Sequence, residues 1–516
     1  VVQDYLEAHP EVLGFYRGHY STLSAYEARA EGIEQRFDRD ARERAASALG
    51  VPPGGDPSRL ARFVEEGGWL VTTGQQPGLF GGPLYSVYKA LTAIRLAEAL
   101  EARLGRPVLP VFWVASEDHD WAEANHTSLV GTDNDLWTCE LDPPDPSTTP
   151  SIHRIPVGAD IEMIRDAFVQ HLPATDFSDP FLELLAGAAK AGMTLSSSFR
   201  SVMEGLLGRY GLFFTDAANP TVKAVSAPVL EDELRRSSEL ESVLSGTAAE
   251  LDRAGYGQQV ALLEGGVNLF LEGPAGRERL YRDGDRFRLR ASGESLALSD
   301  VLARAAADGK ALSPNVLLRP VVESAVFPTL SYVAGPGETA YYAQLADYFD
   351  AFGIEMPVIH PRFGATAVES KIRKVLDKFG LDVGDLGRPF HEISSDLARD
   401  EVPESVRRAL GALRGAIGKG VAELQAAVRE VDPTLKGPVQ HVRSQGFAAL
   451  EDVERKIVHA VKRENEIALA QLQKAQLHLF PQGKPQERVM NPFYYLVRYG
   501  WAFLDDALQR FEVNFQ

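Results

Sequence analysis

The order strand, glycine-rich turn, helix, strand constrains this chain more than any other feature. Trp69-Leu70-Val71-Thr72-Thr73 reads as a strand. It runs into the turn Gly74-Gln75-Gln76-Pro77-Gly78-Leu79-Phe80-Gly81-Gly82-Pro83. Pro83 suits the first turn of a helix, where a missing N–H costs nothing. Leu84, Val87, Tyr88, Leu91, Ile94 and Leu100 then give that helix an apolar face. The next run, Val108-Leu109-Pro110-Val111-Phe112-Trp113-Val114-Ala115, is apolar almost throughout, as a parallel strand covered on both faces requires. Such a unit closes as a βαβ crossover, so an α/β fold on a parallel sheet is expected.

Three more strands are read at 211–216, 330–334 and 356–360. The first leads into a long charged helix over about 220–251, and the second into a helix through Gly335-Pro336-Gly337-Glu338. Short alternating runs at 260–263, 267–271 and 286–290 predict a small antiparallel insertion. At 516 residues the chain is too long for one core. The expected organisation is a parallel-sheet core with N-terminal helices over 1–390, carrying insertions at about 120–210 and 217–312. Leu410, Leu413, Ile417, Val421, Leu424 and Val428 recur at steps of three and four, as do apolar residues after Asp432-Pro433. An antiparallel helical hairpin over 391–480 follows from that period. The aromatic tail, 481–516, is expected to pack on the core.

The balance of 53 basic against 72 acidic side chains, a net charge of −19, argues against nucleic acid or anionic membrane as partners. The single cysteine, Cys139, allows no intrachain disulfide, and its bulky neighbours read as packing. No stretch is apolar enough to span a bilayer. Val1-Val2-Gln3-Asp4-Tyr5 lacks a leader pattern and an initiator Met, so a residue or more is expected to be missing ahead of it. The cytoplasm is the expected compartment. P-loop, G-x-S-x-G, H-E-x-x-H and C-x-x-C motifs are absent from the sequence.

Ligands of parallel sheets bind beyond the strands' carboxyl ends. Four such ends carry unusual residues. Thr73, Gly74, Gln75, Gln76 and Gly78 offer close backbone approach and amide donors. Gly335, Gly337 and Glu338 belong to a G-x-G-x-x-A turn suited to a phosphate or a carboxylate, and a plain tight turn fits equally well. Glu355 precedes its strand, which disfavours dinucleotide redox chemistry. Glu117-Asp118-His119-Asp120, with Asn125 and His126, supplies either a general base or a divalent-cation site. The plainer alternative has Asp120 capping a helix, with His119 and His126 as partly buried hydrogen-bonding residues. Arg319, His360 and Arg362 read together as an anion clamp and singly as ion-pairing residues. Lys371, Arg373 and Lys374 read as a solvated face.

The segments Thr73 to Phe80, Gly82-Pro83-Leu84-Tyr85, Pro110 to Ala115, Glu117 to Asp120 and Asn125-His126 resemble the bacillithiol biosynthesis cysteine-adding enzyme family, a cysteine ligase family. Leu317-Leu318-Arg319-Pro320, Gly335 to Glu338, Asn491-Pro492 and Tyr499-Gly500 extend the resemblance, in order, over essentially the whole chain. Ser116 stands where the family suggests Gly or Ala.

The resemblance implies a Rossmann-like core related to nucleotidyltransferases and class I synthetases, with a coiled coil that forms a homodimer. The implied reaction joins cysteine through its carboxyl group to the amine of glucosaminyl malate, with ATP/ADP, alone or with Mg2+, as the implied cofactor and activation by either an adenylate or an acyl phosphate. Asp118, His119, Asp120 and Arg319 become candidate catalytic residues, Asp118 or His119 taking the amine proton and Arg319 meeting negative charge. Tyr85, Asn125, His126, His360 and Arg362 join the two glycine turns as candidate binding residues, with no resident metal assigned. The synthetases' histidine-rich and lysine-rich loops lack clear equivalents, which leaves a catalytically silent ligand-binding assembly protein as one alternative. A metal-dependent hydrolase built on residues 117–120 is another.

Overall fold

Five strands, Trp69–Gln75, Val108–Val114, Phe213–Asp216, Thr329–Ala334 and Val358–Pro361, form one parallel sheet in the computed structural model, which describes every residue except Pro144 and Pro146. Their spatial order is 358–361, 329–334, 69–75, 108–114, 213–216. The chain therefore steps outward from Trp69–Gln75 in one direction, then returns and steps outward in the other. The reversal lies between 69–75 and 329–334, where Thr72 pairs with Tyr332, and it opens a crevice at the carboxyl ends. Leu70, Val71, Leu109, Val111, Phe112, Trp113 and Val114 are all buried, which explains their unbroken apolar run.

The helix Tyr85–Leu104 lies between the first two strands and ends at Gly105, whose φ of +69° suits glycine. The helix read over 220–251 is two helices, Pro220–Arg235 and Ser237–Arg253. Arg236 marks the break, and its guanidinium donates to the Ala351 carbonyl. The insertion between the third and fourth core strands is a five-stranded sheet of Gly266–Gly273, Gly276–Asp283, Arg286–Leu289, Ser295–Ala297 and Leu312–Pro314. The run at 260–263 is not a strand; the Gln344 side chain takes the Gln259 and Val260 amides. A hairpin of His126–Val130 and Leu136–Glu140 opens the insertion read at about 120–210. Cys139 is buried in it, and burial pushes its thiol up to about 12.

The compact units are Val1–Ala365 with Glu487–Gln516, and Thr366–Gln486. The break read near 390 thus falls at Ala365/Thr366, because helix Ser370–Phe379 buries Ile372 and Leu376 against Leu472, Ala475 and Leu479 of its own unit. In that second unit helices Glu404–Ala427 and Lys436–Glu464 run antiparallel, with Arg414 on Glu454 at 3.0 Å and Gly446 against Ile417. No helix among the described residues is long and apolar enough to cross a membrane.

In the first unit the tail clamps the glycine-rich turn. The Asn491 amide donates to the Phe80 and Gly82 carbonyls and to Thr127 Oγ1, its Oδ1 accepts from the Phe493 amide, and the Met490 carbonyl accepts from Leu84. Asn491→Ala leaves several of these buried groups unpaired, at roughly 1–3 kcal/mol each. Urea unfolding is expected to show a loss of about 3 kcal/mol.

The N-terminal helices close over the last strand: Tyr5 donates to the Ile359 carbonyl at 2.7 Å, and Tyr20 packs on His360. Burial lowers the His360 pKa to about 4. A base lowered by folding keeps its full contribution above its unfolded value, about 6.5, and loses it as pH falls toward the folded value. Stability is therefore expected to drop by about 3 kcal/mol between pH ~6.5 and ~4 on this account, and His360→Asn to flatten that part of the denaturation profile.

Candidate active site

The crevice at the sheet's reversal opens into a cavity of about 600 Å3, a volume typical of small-molecule sites. Its lining carries six cations, Lys89, Arg277, Arg279, Arg319, Arg362 and Arg488, against four carboxylates, Glu117, Asp118, Glu123 and Glu338.

A buried polar chain forms the wall at the first and fourth strands. Lys89, 2% exposed, donates to the Gly74 carbonyl and to Glu338 Oε2 at 2.6 Å. Glu338 also accepts from Tyr332 at 2.6 Å and from the Gly335 amide at 2.7 Å. Burial raises the Glu338 carboxyl, but Lys89 and these hydrogen bonds outweigh it and hold it below the ordinary carboxylate range. Arg319 pairs with Glu323 at 2.6 Å and donates to Tyr332 and Tyr341. Arg362 pairs with Glu487 at 2.9 Å and lies over the Tyr85 ring.

The antiparallel insertion supplies the facing wall. Arg277 donates from Nε to Ser313 at 2.9 Å, from Nη2 to the Pro314 carbonyl at 2.8 Å, and from Nη1 to His119 Nδ1 at 3.0 Å. Its guanidinium lies 3.9 Å over the Phe270 ring. Burial, then Arg277, lowers the His119 pKa, which favours the neutral ring. Asp118 accepts from the His119 and Asp120 amides, and buried Glu117 pairs with Lys223 at 2.5 Å. Burial, then Asp120 and Asp118, raises the Glu123 carboxyl.

The cavity brings together Gly74, Gln75, Gln76, Tyr85, Asp118, His119, Arg319, Gly335, Gly337, Glu338 and Arg362 of the sequence-read candidates. It does not include the others. Thr73 donates to the Val333 carbonyl within the sheet, and Gly78 packs on Gly82, where an added Cβ would come within 2.7 Å of the Gly82 Cα. Asp120 caps the short helix Trp121–Ala124 through the Glu123 amide, the capping alternative read from the sequence. Asn125 is buried on Glu140 and Leu141, His126 is exposed with Nδ1 near the Ala122 carbonyl, and His360 is buried beneath Tyr20.

Three amides of the glycine turns are taken by protein groups: Gly82 donates to Leu79, Leu84 to Met490 and Gly335 to Glu338. An added Cβ on Gly337 would meet no protein atom, so that glycine is not required by packing within the protein. Among the described residues no group of three or more His, Cys, Asp or Glu side chains is arranged to hold a metal ion.

Sequence reasoning missed Lys89, Glu123, Arg277, Arg279 and Arg488. Lys89 has a signal, a lone cation inside the buried run 86–94. Arg277 and Arg279 have none, because only the folding of a distant insertion brings them to the crevice.

Two family models match the chain in order: the N-terminal Rossmann-like domain of bacillithiol biosynthesis BshC over residues 1–363, and the BshC C-terminal coiled-coil domain over 365–514. A Salinibacter ruber protein named "Putative cysteine ligase BshC" is 32% identical over 508 residues, 98% of this chain and 92% of its own length. Proteins of the same name from Heliobacterium modesticaldum and Symbiobacterium thermophilum are each 33% identical, covering 87% and 83% of this chain and 82% and 79% of their own. With both domains matched and several of the motifs that carry the resemblance lining the crevice, the chain belongs to the bacillithiol biosynthesis BshC family.

Proposed function

We propose that this crevice joins cysteine, through its carboxyl group, to the amine of glucosaminyl malate, with ATP activating the carboxyl. The carrying observation is a wall of guanidinium groups without carboxylate partners in a chain of net charge −19. Among the described residues Arg277, Arg279 and Arg488 line the cavity and form no ion pair, and Arg279 Nε is buried with no hydrogen-bond partner. A cation with no carboxylate partner favours anionic ligands, most strongly where it is partly desolvated and unpartnered, as Arg279 is. The malate carboxylates and the phosphates of ATP are assigned to this wall rather than to the glycine turns. ATP supplies the leaving group that a free carboxylate lacks in water. The chain's own part is to hold both substrates together, with Asp118 or Glu123 taking the amine proton, since an ammonium cannot attack an acyl carbon.

Homodimerisation through the helical pair belongs to the same reading, with Leu413, Leu424 and Val453, each about half exposed, on its apolar seam. One observation favours the silent-assembly alternative: Glu338 itself fills the anion position at the Gly335 turn.

Purified protein with cysteine, glucosaminyl malate and ATP-Mg is expected to form bacillithiol, read by mass spectrometry. Ligand binding with no amide product would instead support the silent protein. Arg279→Ala is expected to raise KM for glucosaminyl malate about 10–100-fold with a smaller effect on kcat, as loss of a charged hydrogen bond made in the ground state requires.

A further inference from the structure

We infer that Arg277 fixes the tautomer of His119, so that the ring meets the bound molecule as an Nε2–H hydrogen-bond donor and not as a proton acceptor. Arg277 is a positioning residue in this account. A guanidinium has five donors and no acceptor. Its Nη1 lies 3.0 Å from His119 Nδ1 in hydrogen-bonding geometry, so that nitrogen must carry the lone pair. In a neutral imidazole the proton then belongs to Nε2.

The competitor for Nδ1 is Asp118 Oδ1, at 3.5 Å, which would favour the opposite tautomer. It is farther away, and the same oxygen already accepts from the His119 amide at 2.6 Å and the Asp120 amide at 3.2 Å. Arg277 has little freedom to yield, because Ser313, the Pro314 carbonyl and the Phe270 ring hold the rest of its guanidinium. The other charged groups facing the ring are Asp120 and Glu272. Both His119 and Arg277 line the cavity, and among the described residues the ring's hydrogen bond is made at Nδ1, with none at Nε2. The free N–H therefore serves an oxygen of the ligand, a carboxylate or phosphoryl group. The ligase reading enters only through the identity of that ligand.

The test is nitrogen NMR of the full chain with [15N]histidine, with the His119 signals identified by their loss in His119→Gln. The native ring is expected to show a protonated Nε2 and a bare Nδ1. Arg277→Met is expected to move the proton to Nδ1, toward Asp118, while Arg277→Lys, which keeps a donor, retains the native pattern. Malate, used as a dicarboxylate probe, is expected to shift Nε2 and leave Nδ1 in place. A native Nδ1–H ring, an unchanged tautomer in Arg277→Met, or no response of Nε2 to malate would overturn the inference. The native spectrum decides the first point even where the Met variant does not fold. The tautomer readout needs no turnover, so a failed amide assay alongside the expected spectrum sinks only the ligase reading.

Discussion

The pair of buried Lys89 and half-buried Glu338 is the contact on which the crevice depends. Lys89 belongs to the helix after the first core strand and Glu338 to the helix after the fourth, so the pair spans the point where the sheet reverses direction. Taking both charges out of water costs several kcal/mol per ion, recovered only where geometry and further hydrogen bonds are complete. Here they are: Lys89 also donates to the Gly74 carbonyl, and Glu338 gathers Tyr332 and the Gly335 amide. Tyr332 then orients Arg319, which Glu323 holds from behind. One ion pair thus sets two loops, a tyrosine and an arginine.

That wall and the one facing it differ in what their cations can still do. Lys89, Arg319 and Arg362 are each committed to a carboxylate of the protein. Their positive charge is largely neutralised before any ligand arrives. Arg277, Arg279 and Arg488 are not so committed, and two of the three lie on the inserted sheet. The Rossmann-like core supplies rigidity and shape at the crevice, while the insertion supplies most of the charge available to an anion. An insertion can vary without disturbing the parallel sheet, which makes it a natural place for substrate selection.

The parallel sheet could be read in advance because strands buried on both faces must be apolar throughout, and 108–114 is. The crevice could be placed because strand ends and glycine turns mark it, and Gly74, His119 and Gly337 do line one cavity. What could not be read depended on distant partners. His360 sits at a strand end like the others, yet the N-terminal helices fold over it, and nothing local announces Tyr20. Asn125 and His126 follow an acidic cluster and suggest a site, but residue 126 starts a hairpin strand and Asn125 is drawn into its hydrogen bonding. The helix at 370–379 follows a core strand in the chain while its apolar face matches residues a hundred positions later.

The glycines show why the motif and the chemistry part company. A glycine reports only that the backbone comes close to something. At the turn after the first strand that something is the protein itself: Gly78 meets Gly82, and the tail's Asn491 takes the carbonyls of Phe80 and Gly82. At Gly335 the close neighbours are Glu338 and Arg362. Both turns are closed by protein groups, so neither needs a phosphate to be stable. A phosphate-binding loop of the familiar kind keeps its amides open toward a ligand. On the proposed reading, side chains that only the tertiary fold brings to the crevice, Arg279 of the insertion and the Nε2–H of His119, join the donors of the core.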